Sequence, residues 1–416
     1  MDAEAVSAAV TRAAGESRRV RVAGAGHSFT DAVLTDGTLL SLERMRRVLD
    51  ADPAGGLVRV QAGITLRELN GALWALGLAL ENLGDIDVQS VAGATATGTH
   101  GTGARLRNLS AAIESLELVT ADGSTVECNE ASDPDGWRAA RVSVGALGVV
   151  TALTLRAVPA FTLEGVDSSL SLNEALGRLD ELVDGSDHFE FFTFPHSDLA
   201  LTRTNNRVEG PPRPRSRSRE WVEDVLLRNH VFGACCRLGR ARPRLIPHIN
   251  RALARASGES RRVDRSYAIF ASPRRVRFTE MEYAIPRARA ADAVRAVRAV
   301  SDGGGYAVCF PIEVRFVAPD DALLSPATGR DTCYIAVHSY EGMAWEPYFR
   351  AVERVMDDFD GRPHWGKRHF QTSESLSGRY PGWERFAAVR ERLDPGGVFA
   401  NDYVRRVLGV RKGVAA

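Results

Sequence analysis

Residues 20–29 read Val-Arg-Val-Ala-Gly-Ala-Gly-His-Ser-Phe. From Arg18 to Ala23 charged and apolar residues alternate, which predicts a half-buried strand. That strand runs straight into Gly24 and Gly26. Two glycines at this spacing let the backbone approach a ligand and turn amide N–H groups toward an anion. A nicotinamide-type Rossmann unit would need G-x-G-x-x-G opening a helix. Here the sixth position is Phe29, and Thr30-Asp31 begins no helical pattern. The stretch is therefore an anion-cradling turn of another kind or a plain strand-to-loop turn. A doubly wound dinucleotide fold is disfavoured.

The flanks agree. Residues 3–14 predict a helix ending near Gly15. Short strands follow at 38–42, 48–51 and 57–61, the last two joined by the turn Pro53-Ala54-Gly55-Gly56. Thr65-Leu66-Arg67-Glu68 forms a capping box that opens a helix to about Leu76. Residues 82–108 predict a loop, 113–120 and 124–128 a hairpin, 135–144 a helix and 148–157 a strand. Many short strands with few helices predict an α+β domain rather than alternating βαβ units. Beyond Val158-Pro159 the texture changes. Helices are expected at 172–183, 288–300, 345–358 and 383–392. Strands are expected at 189–194, 274–285, 308–318 and 333–339. This half predicts an antiparallel sheet with helices on one face. Two domains result, 1–158 and 159–416.

Composition narrows the function. The chain has 416 residues, 53 basic and 53 acidic, for a net charge of zero. A protein that coats phosphates by bulk charge should be strongly basic, so no nucleic-acid partner is expected. No apolar run reaches the ~18 residues a membrane span needs. The acidic start Met1-Asp2-Ala3-Glu4 carries no basic region of a secretory signal, so a cytoplasmic location is expected. Five cysteines without a CxxC argue against a disulfide framework or structural zinc. Residues 203–220 are rich in Arg, Pro, Ser and Asn and predict a solvated loop. The weakly amphipathic 222–239 that follow leave contact with a membrane surface open.

Three further segments carry chemistry. Gly93-Ala94-Thr95-Ala96-Thr97-Gly98-Thr99-His100-Gly101-Thr102-Gly103 has four glycines and four threonines and no large apolar side chain. It either lines a tight cleft with N–H and hydroxyl donors or is a flexible surface loop. In Phe310–Val317, period two puts Glu313 and Arg315 on one strand face, to orient a hydroxylated substrate or simply to face solvent. His364-Trp365-Gly366-Lys367 contains one of only two lysines, the other being Lys412. Lys367 is a site cation or part of a basic surface turn. His364 and His369 have the wrong spacing for a metal pair on one helical face, so no metal is expected.

Taken together, VAGAGHSFTD (22–31), ENLGDIDVQSVAGATATGTHGTG (81–103), FPIEVRF (310–316) and GRPHWGKRHFQT (361–372) resemble the FAD-dependent sugar-lactone oxidoreductases of the vanillyl-alcohol-oxidase superfamily. The resemblance spans about residues 18 to 409. It is greatest to actinobacterial L-gulono-1,4-lactone dehydrogenases, with D-arabinono-1,4-lactone oxidases next and alditol oxidases behind. Members carry a further Trp- and Pro-containing stretch upstream. It implies a two-domain α+β fold, an FAD-binding domain of the PCMH type and an antiparallel-sheet substrate domain. The C-terminal segment, about 395–416, should return to the flavin side.

It also implies roles. Gly24, Ala25, Gly26, His27 and Ser28 would cradle the FAD diphosphate. His27 takes the position of an 8α-histidyl flavin bond that some members have and others lack. Gly93, Thr97, Gly98, Thr99, His100 and Gly101 would complete the cleft. Gly148 and Val149 would lie along the adenine side, and Asn401 near the flavin. Gly84 would sit at the reactive face, where glycine leaves room for O2, with Asp85 toward the substrate. Glu313, Arg315, Lys367 and His338 would act on the substrate. The expected reaction is hydride transfer from a hydroxyl carbon of an aldono-1,4-lactone to flavin, in an ascorbate-type biosynthesis. O2 or a cytochrome- or dye-type acceptor would reoxidise the flavin. Two other classes compete. One is a non-catalytic binding protein using the Arg/Pro segment. The other is a metal-dependent hydrolase built on His100, His338 and His364.

Overall fold

A computed structural model describes residues 2–410. Residues 411–416, including Lys412 and the end of the expected C-terminal return, lie outside the described residues. Helix Ala3–Gly15 is N-capped by Asp2 and buries Val6, Ala9, Val10 and Ala13. Strand Val20–Ala23 pairs in parallel with Thr38–Ser41. Gly24–Phe29 therefore leaves the sheet as a loop, and only a single turn, Asp31–Val33, follows it. The capping box at Thr65 forms on helix Leu66–Ala75, with Thr65 and Glu68 bonded reciprocally.

A five-stranded antiparallel sheet comes next, in the order Val48–Asp52, Leu57–Gln61, Val149–Arg156, Ile113–Val119, Thr125–Asn129. The second half builds an eight-stranded antiparallel sheet. Its order is Ser260–Arg265, Thr162–Ser171, Leu199–Val208, His188–Thr193, Ile312–Val317, Thr332–Tyr340, Phe278–Pro286, Arg362–Pro363. Helices Leu172–Gly177, Leu179–Asp184, Ala290–Gly303 and Glu346–Asp358 bury their apolar sides with Phe189, Phe191, Met281, Val314, Phe316, Ile335 and Val337 of this sheet. The expected α+β class holds.

Three local expectations change. Residues 82–108 are not all loop: Val91–Ala96 is a helix, because the Ser90 hydroxyl accepts from the Gly93 N–H and supplies an N-cap. Residues 172–183 are two short helices, broken at Arg178. The Arg/Pro segment begins inside strand Leu199–Val208, paired across to Thr162–Ser171, and so is loop only afterwards. It continues into π-helical turns at Trp221–Val231 and a helix at Phe232–Ala241.

The core under the first half is not made by the first half alone. Leu376, Phe386, Phe399, Val404 and Val407 are buried with Val10, Val20, Leu116 and Leu147. The Val20 N–H donates to the Val398 carbonyl at 2.8 Å, and the Ala121 N–H to the Leu393 carbonyl at 3.2 Å. Buried Arg21 donates to the carbonyls of Ala32, Val144, Gly145 and Phe399.

Candidate active site

One face of the large sheet is apolar and the other is charged. Across the register, Glu190 stands beside Arg315, and Phe192 beside Glu313. Glu313 in turn faces Ala336. Glu282 faces the same Ala336 from the other side, and Glu280 faces His338. Strand residues alternate faces, so Val314, Ile335, Val337 and Met281 go to the helices while the charged set turns the other way. It borders a cavity of about 1140 Å³ whose opposite wall carries His27, Ser28, Gly84, Asp85, Thr97, Thr99 and His100. Lys367 lines it as well.

Arg315 is the hub of the charged face. Its Nε donates to Glu190 Oε2 at 2.8 Å, and its Nη2 lies 2.5 Å from Glu313 Oε1 and 3.9 Å from Asp85 Oδ2. Burial would discharge this guanidinium, but Glu313, Glu190 and Asp85 hold it firmly cationic. Burial would likewise raise Asp85, but Arg274 (2.7 Å away) and Arg315 hold it well below the usual carboxylate range. Glu313 behaves oppositely. Burial, with Asp85 and Glu190 nearby, pushes it up to about 7 despite Arg315. Unequal environments thus leave Asp85 ionised and Glu313 poised near neutrality, a division suited to acid–base work.

The second cluster centres on Glu280, in direct contact with the Lys367 ammonium. Its other oxygen is 3.6 Å from His338 Nε2. His338 Nδ1 lies 3.2 Å from the Pro311 carbonyl, which can only accept, so that nitrogen carries a proton. Burial favours the neutral form of each of the three. Their mutual attraction reverses this: Glu280 is lowered, Lys367 and His338 are raised. His100, Glu282 and His364 form a third group, with ligand-type atoms within 4.8 Å of one another. They are engaged already: His100 Nε2 lies 3.2 Å from Glu282, and His364 Nδ1 accepts from the Gly366 N–H at 3.0 Å. His369 stands apart from this group and meets the Tyr403 hydroxyl.

The other wall fits the FAD implied by the sequence resemblance. Gly24 and Gly93 face each other across Ser90: a Cβ on either would stand 2.8 Å from the Ser90 hydroxyl, and only glycine keeps the backbone open there. The segments 82–84 and 99–101 are back to back. A Cβ on Gly101 would strike Asn82 Oδ1 at 2.1 Å, and one on Gly84 would press the His100 carbonyl at 3.2 Å. Gly98, at φ +76°, turns the chain between Thr97 and Thr99, both on the cavity. The Phe29 N–H donates to the Gly366 carbonyl at 2.7 Å, which ties the His27 loop to Lys367.

Three expected residues, Gly148, Val149 and Asn401, do not line this cavity. A Cβ on Gly148 would meet the Val119 carbonyl at 2.7 Å, so the glycine lets strand Val149–Arg156 close on its neighbour. Asn401 is a clamp: its amide donates to the carbonyls of Asp31, Ala32 and Leu34, and its oxygen caps helix Asp402–Leu408. It braces the His27 loop from behind. Glu190, Glu280, Glu282, Arg203 and Arg274 were not foreseen. For the three glutamates the signal lay in HFEFFT, with one Glu in an otherwise apolar strand, and in TEMEYAI, with Glu at two alternate positions; nothing local marked Arg203 or Arg274.

Comparison with known proteins agrees with this geometry. The family model described as D-arabinono-1,4-lactone oxidase matches residues 153–407, and that of an FAD binding domain matches residues 1–129. The chain is 53% identical to the L-gulono-1,4-lactone dehydrogenase of Mycobacterium tuberculosis, over 96% of this chain and 92% of that protein. It is 35% identical to the L-gulonolactone oxidase of Bos taurus, covering 94% and 90% respectively. It is 34% identical to the alditol oxidase of a Streptomyces species, covering 92% and 89%. Among solved structures, the cholesterol oxidase of B. sterolicum superposes with a TM-score of 0.80 at 17% identity, over 98% of this chain and 93% of that one. That likeness concerns the fold alone.

Proposed function

The chain belongs to the D-arabinono-1,4-lactone oxidase family, and on that footing we propose that it is an FAD-dependent oxidoreductase acting on a CH–OH group of a sugar 1,4-lactone. The substrate is of the L-gulono- or D-arabinono-1,4-lactone type. One observation carries the reading: Glu313, Arg315 and Lys367 converge on a single cavity whose far wall is the His27 loop. FAD, when bound, supplies the hydride acceptor. Gly24 to Ser28 and the 93–101 segment would hold it.

The chain's own side chains prepare the substrate. Arg315, fixed on two sides by Glu190 and Glu313, presents a rigid donor fork to the lactone oxygens. Lys367, kept charged by Glu280, stabilises the developing alkoxide. Glu313 takes the hydroxyl proton, because a carboxyl near neutrality can accept it and return it. His338 holds Glu280 from the far side.

O2 or a cytochrome- or dye-type acceptor completes the cycle, and the setting is a cytoplasmic, ascorbate-type biosynthesis. Among the described residues no helix is long and apolar enough to cross a membrane. The test is an absorbance spectrum of purified protein, then anaerobic bleaching by L-gulono-1,4-lactone, D-arabinono-1,4-lactone, xylitol and sorbitol. Lactones should reduce it fastest. The likeness to an alditol oxidase supports a second reading, an alditol substrate, and faster bleaching by xylitol would install it.

A further inference from the structure

Four charged residues stand in one row across the large sheet. The register sets Asp167 opposite Arg203, Arg203 opposite Glu190 and Glu190 opposite Arg315, each on the neighbouring strand. Their signs alternate. Arg203 Nε donates to Asp167 Oδ1 at 2.6 Å, and its Nη1 reaches Glu190 Oε1 at 3.5 Å. Arg315 Nε donates to Glu190 Oε2 at 2.8 Å. At the outer end the Ser260 hydroxyl donates to Asp167 Oδ2 at 2.8 Å, and Arg228 Nη2 lies 3.1 Å from the same oxygen. None of the four side chains is more than 20% exposed, so the row is not a solvated strand face. The sheet does not need it either. The next row on the same face runs Ser169, Leu201, Phe192, Glu313 across the same four strands, with two apolar side chains at its centre. Buried charges are a costly way to join strands that leucine and phenylalanine join two residues away.

We infer that Asp167 and Arg203 are positioning residues: held in register two and three strands from Arg315, they act through Glu190 to set how the Arg315 guanidinium is shared between Glu190 and Glu313. The inference rests on the reading of Glu313 as the accepting base. Glu313 is faced by Arg315 on its own strand, Asp85 from the opposite wall, Glu190 on one neighbouring strand and His338 on the other. Glu190 pairs with Arg203 and Arg315 alone among the described residues. Without Arg203 it is left to Arg315 and draws the guanidinium off Glu313. Without Asp167, Arg203 turns to Glu190 and frees Arg315 for Glu313. Each step along the row therefore reverses the sign of the effect on Glu313.

Two readouts on the full flavoprotein test this. One is the pH profile of anaerobic flavin reduction by L-gulono-1,4-lactone. The other is carboxyl 13C NMR of protein labelled at glutamate Cδ, with the Glu313 signal identified by its loss in Glu313→Gln. Removing an acid from the row should move the Glu313 midpoint to lower pH, and removing the base to higher pH. Glu190→Gln should move it down by about one pH unit and Asp167→Asn by about half a unit, while Arg203→Gln should move it up by about half a unit. Arg203→Lys keeps the charge and should keep the parental midpoint. Asp167→Asn/Arg203→Gln removes one charge of each sign and should return the midpoint to that of the parent, which a merely structural pair would not do. Unmoved midpoints in all the single variants, shifts of one sign throughout, or a double variant displaced further than either single one overturn the inference. A parent whose flavin no lactone bleaches would instead defeat the proposed function, and the NMR titration would still decide the row.

Discussion

Glu280 takes the Lys367 ammonium on one carboxylate oxygen and stands 3.6 Å from His338 Nε2 on the other, although Lys367 and Glu280 are 87 residues apart in the chain. The three are one electrostatic unit. Glu280→Gln removes the charge that keeps Lys367 protonated in a buried setting. Anaerobic flavin reduction by lactone should fall on the order of 10²-fold with flavin content retained. Combining it with Lys367→Met should cost little more than either alone, because the two losses are the same loss. Fully multiplicative effects would show that the residues act separately.

Lys367 itself is tested by Lys367→Arg. In a chain that otherwise uses arginine almost throughout, the ammonium is compact enough to sit between Glu280 and a substrate oxygen, where a planar guanidinium is not. Stopped-flow bleaching should slow on the order of 10²-fold at unchanged melting temperature. A rate within about threefold of parent would remove Lys367 from the chemistry and leave it only a partner of Glu280.

Glu313 gives the site its pH dependence. As the accepting base it must be ionised, so the reduction rate should rise with pH through about 7, and Glu313→Gln should lower it and flatten the profile. Stability runs the other way. A carboxyl raised from 4.5 to about 7 on folding contributes most below pH 4.5 and loses that contribution as pH climbs through 7. Between those limits the melting temperature of the parent should fall relative to that of Glu313→Gln. A flat parental rate from pH 6 to 8 would assign proton transfer to another group.

His27 is open to the cavity, with its pKa pushed down by partial burial and by Lys367, so the imidazole is neutral and free to bond carbon. After acid precipitation the yellow colour should stay with the polypeptide, and His27→Ala should release it to the supernatant. Complete release from the parent would show FAD held by the cradle alone.

The parts of this molecule written locally were legible in its sequence. The capping box at Thr65, the turn through Gly24 and Gly26, and the shared face of Glu313 and Arg315 all depend on neighbours a few residues away. Pairing between distant strands was not legible. Glu190 meets Arg315 from 125 residues away, and nothing near either residue specifies that register. The bonds that Asn401 makes were not legible for a related reason. A buried asparagine before a helix has the same local pattern whether it faces a ligand or, as here, three carbonyls of a distant loop.

The bond from the Val20 N–H to the Val398 carbonyl sets a timetable for synthesis. On the ribosome the first half emerges long before its last structural pieces exist. Leu376, Phe399, Val404 and Val407 must leave the exit tunnel before the core around Val10 and Val20 can seal. Until then the core around Val10 and Val20 lacks the side chains that complete it. A chain cut near residue 158 should therefore lack a closed core under its first half.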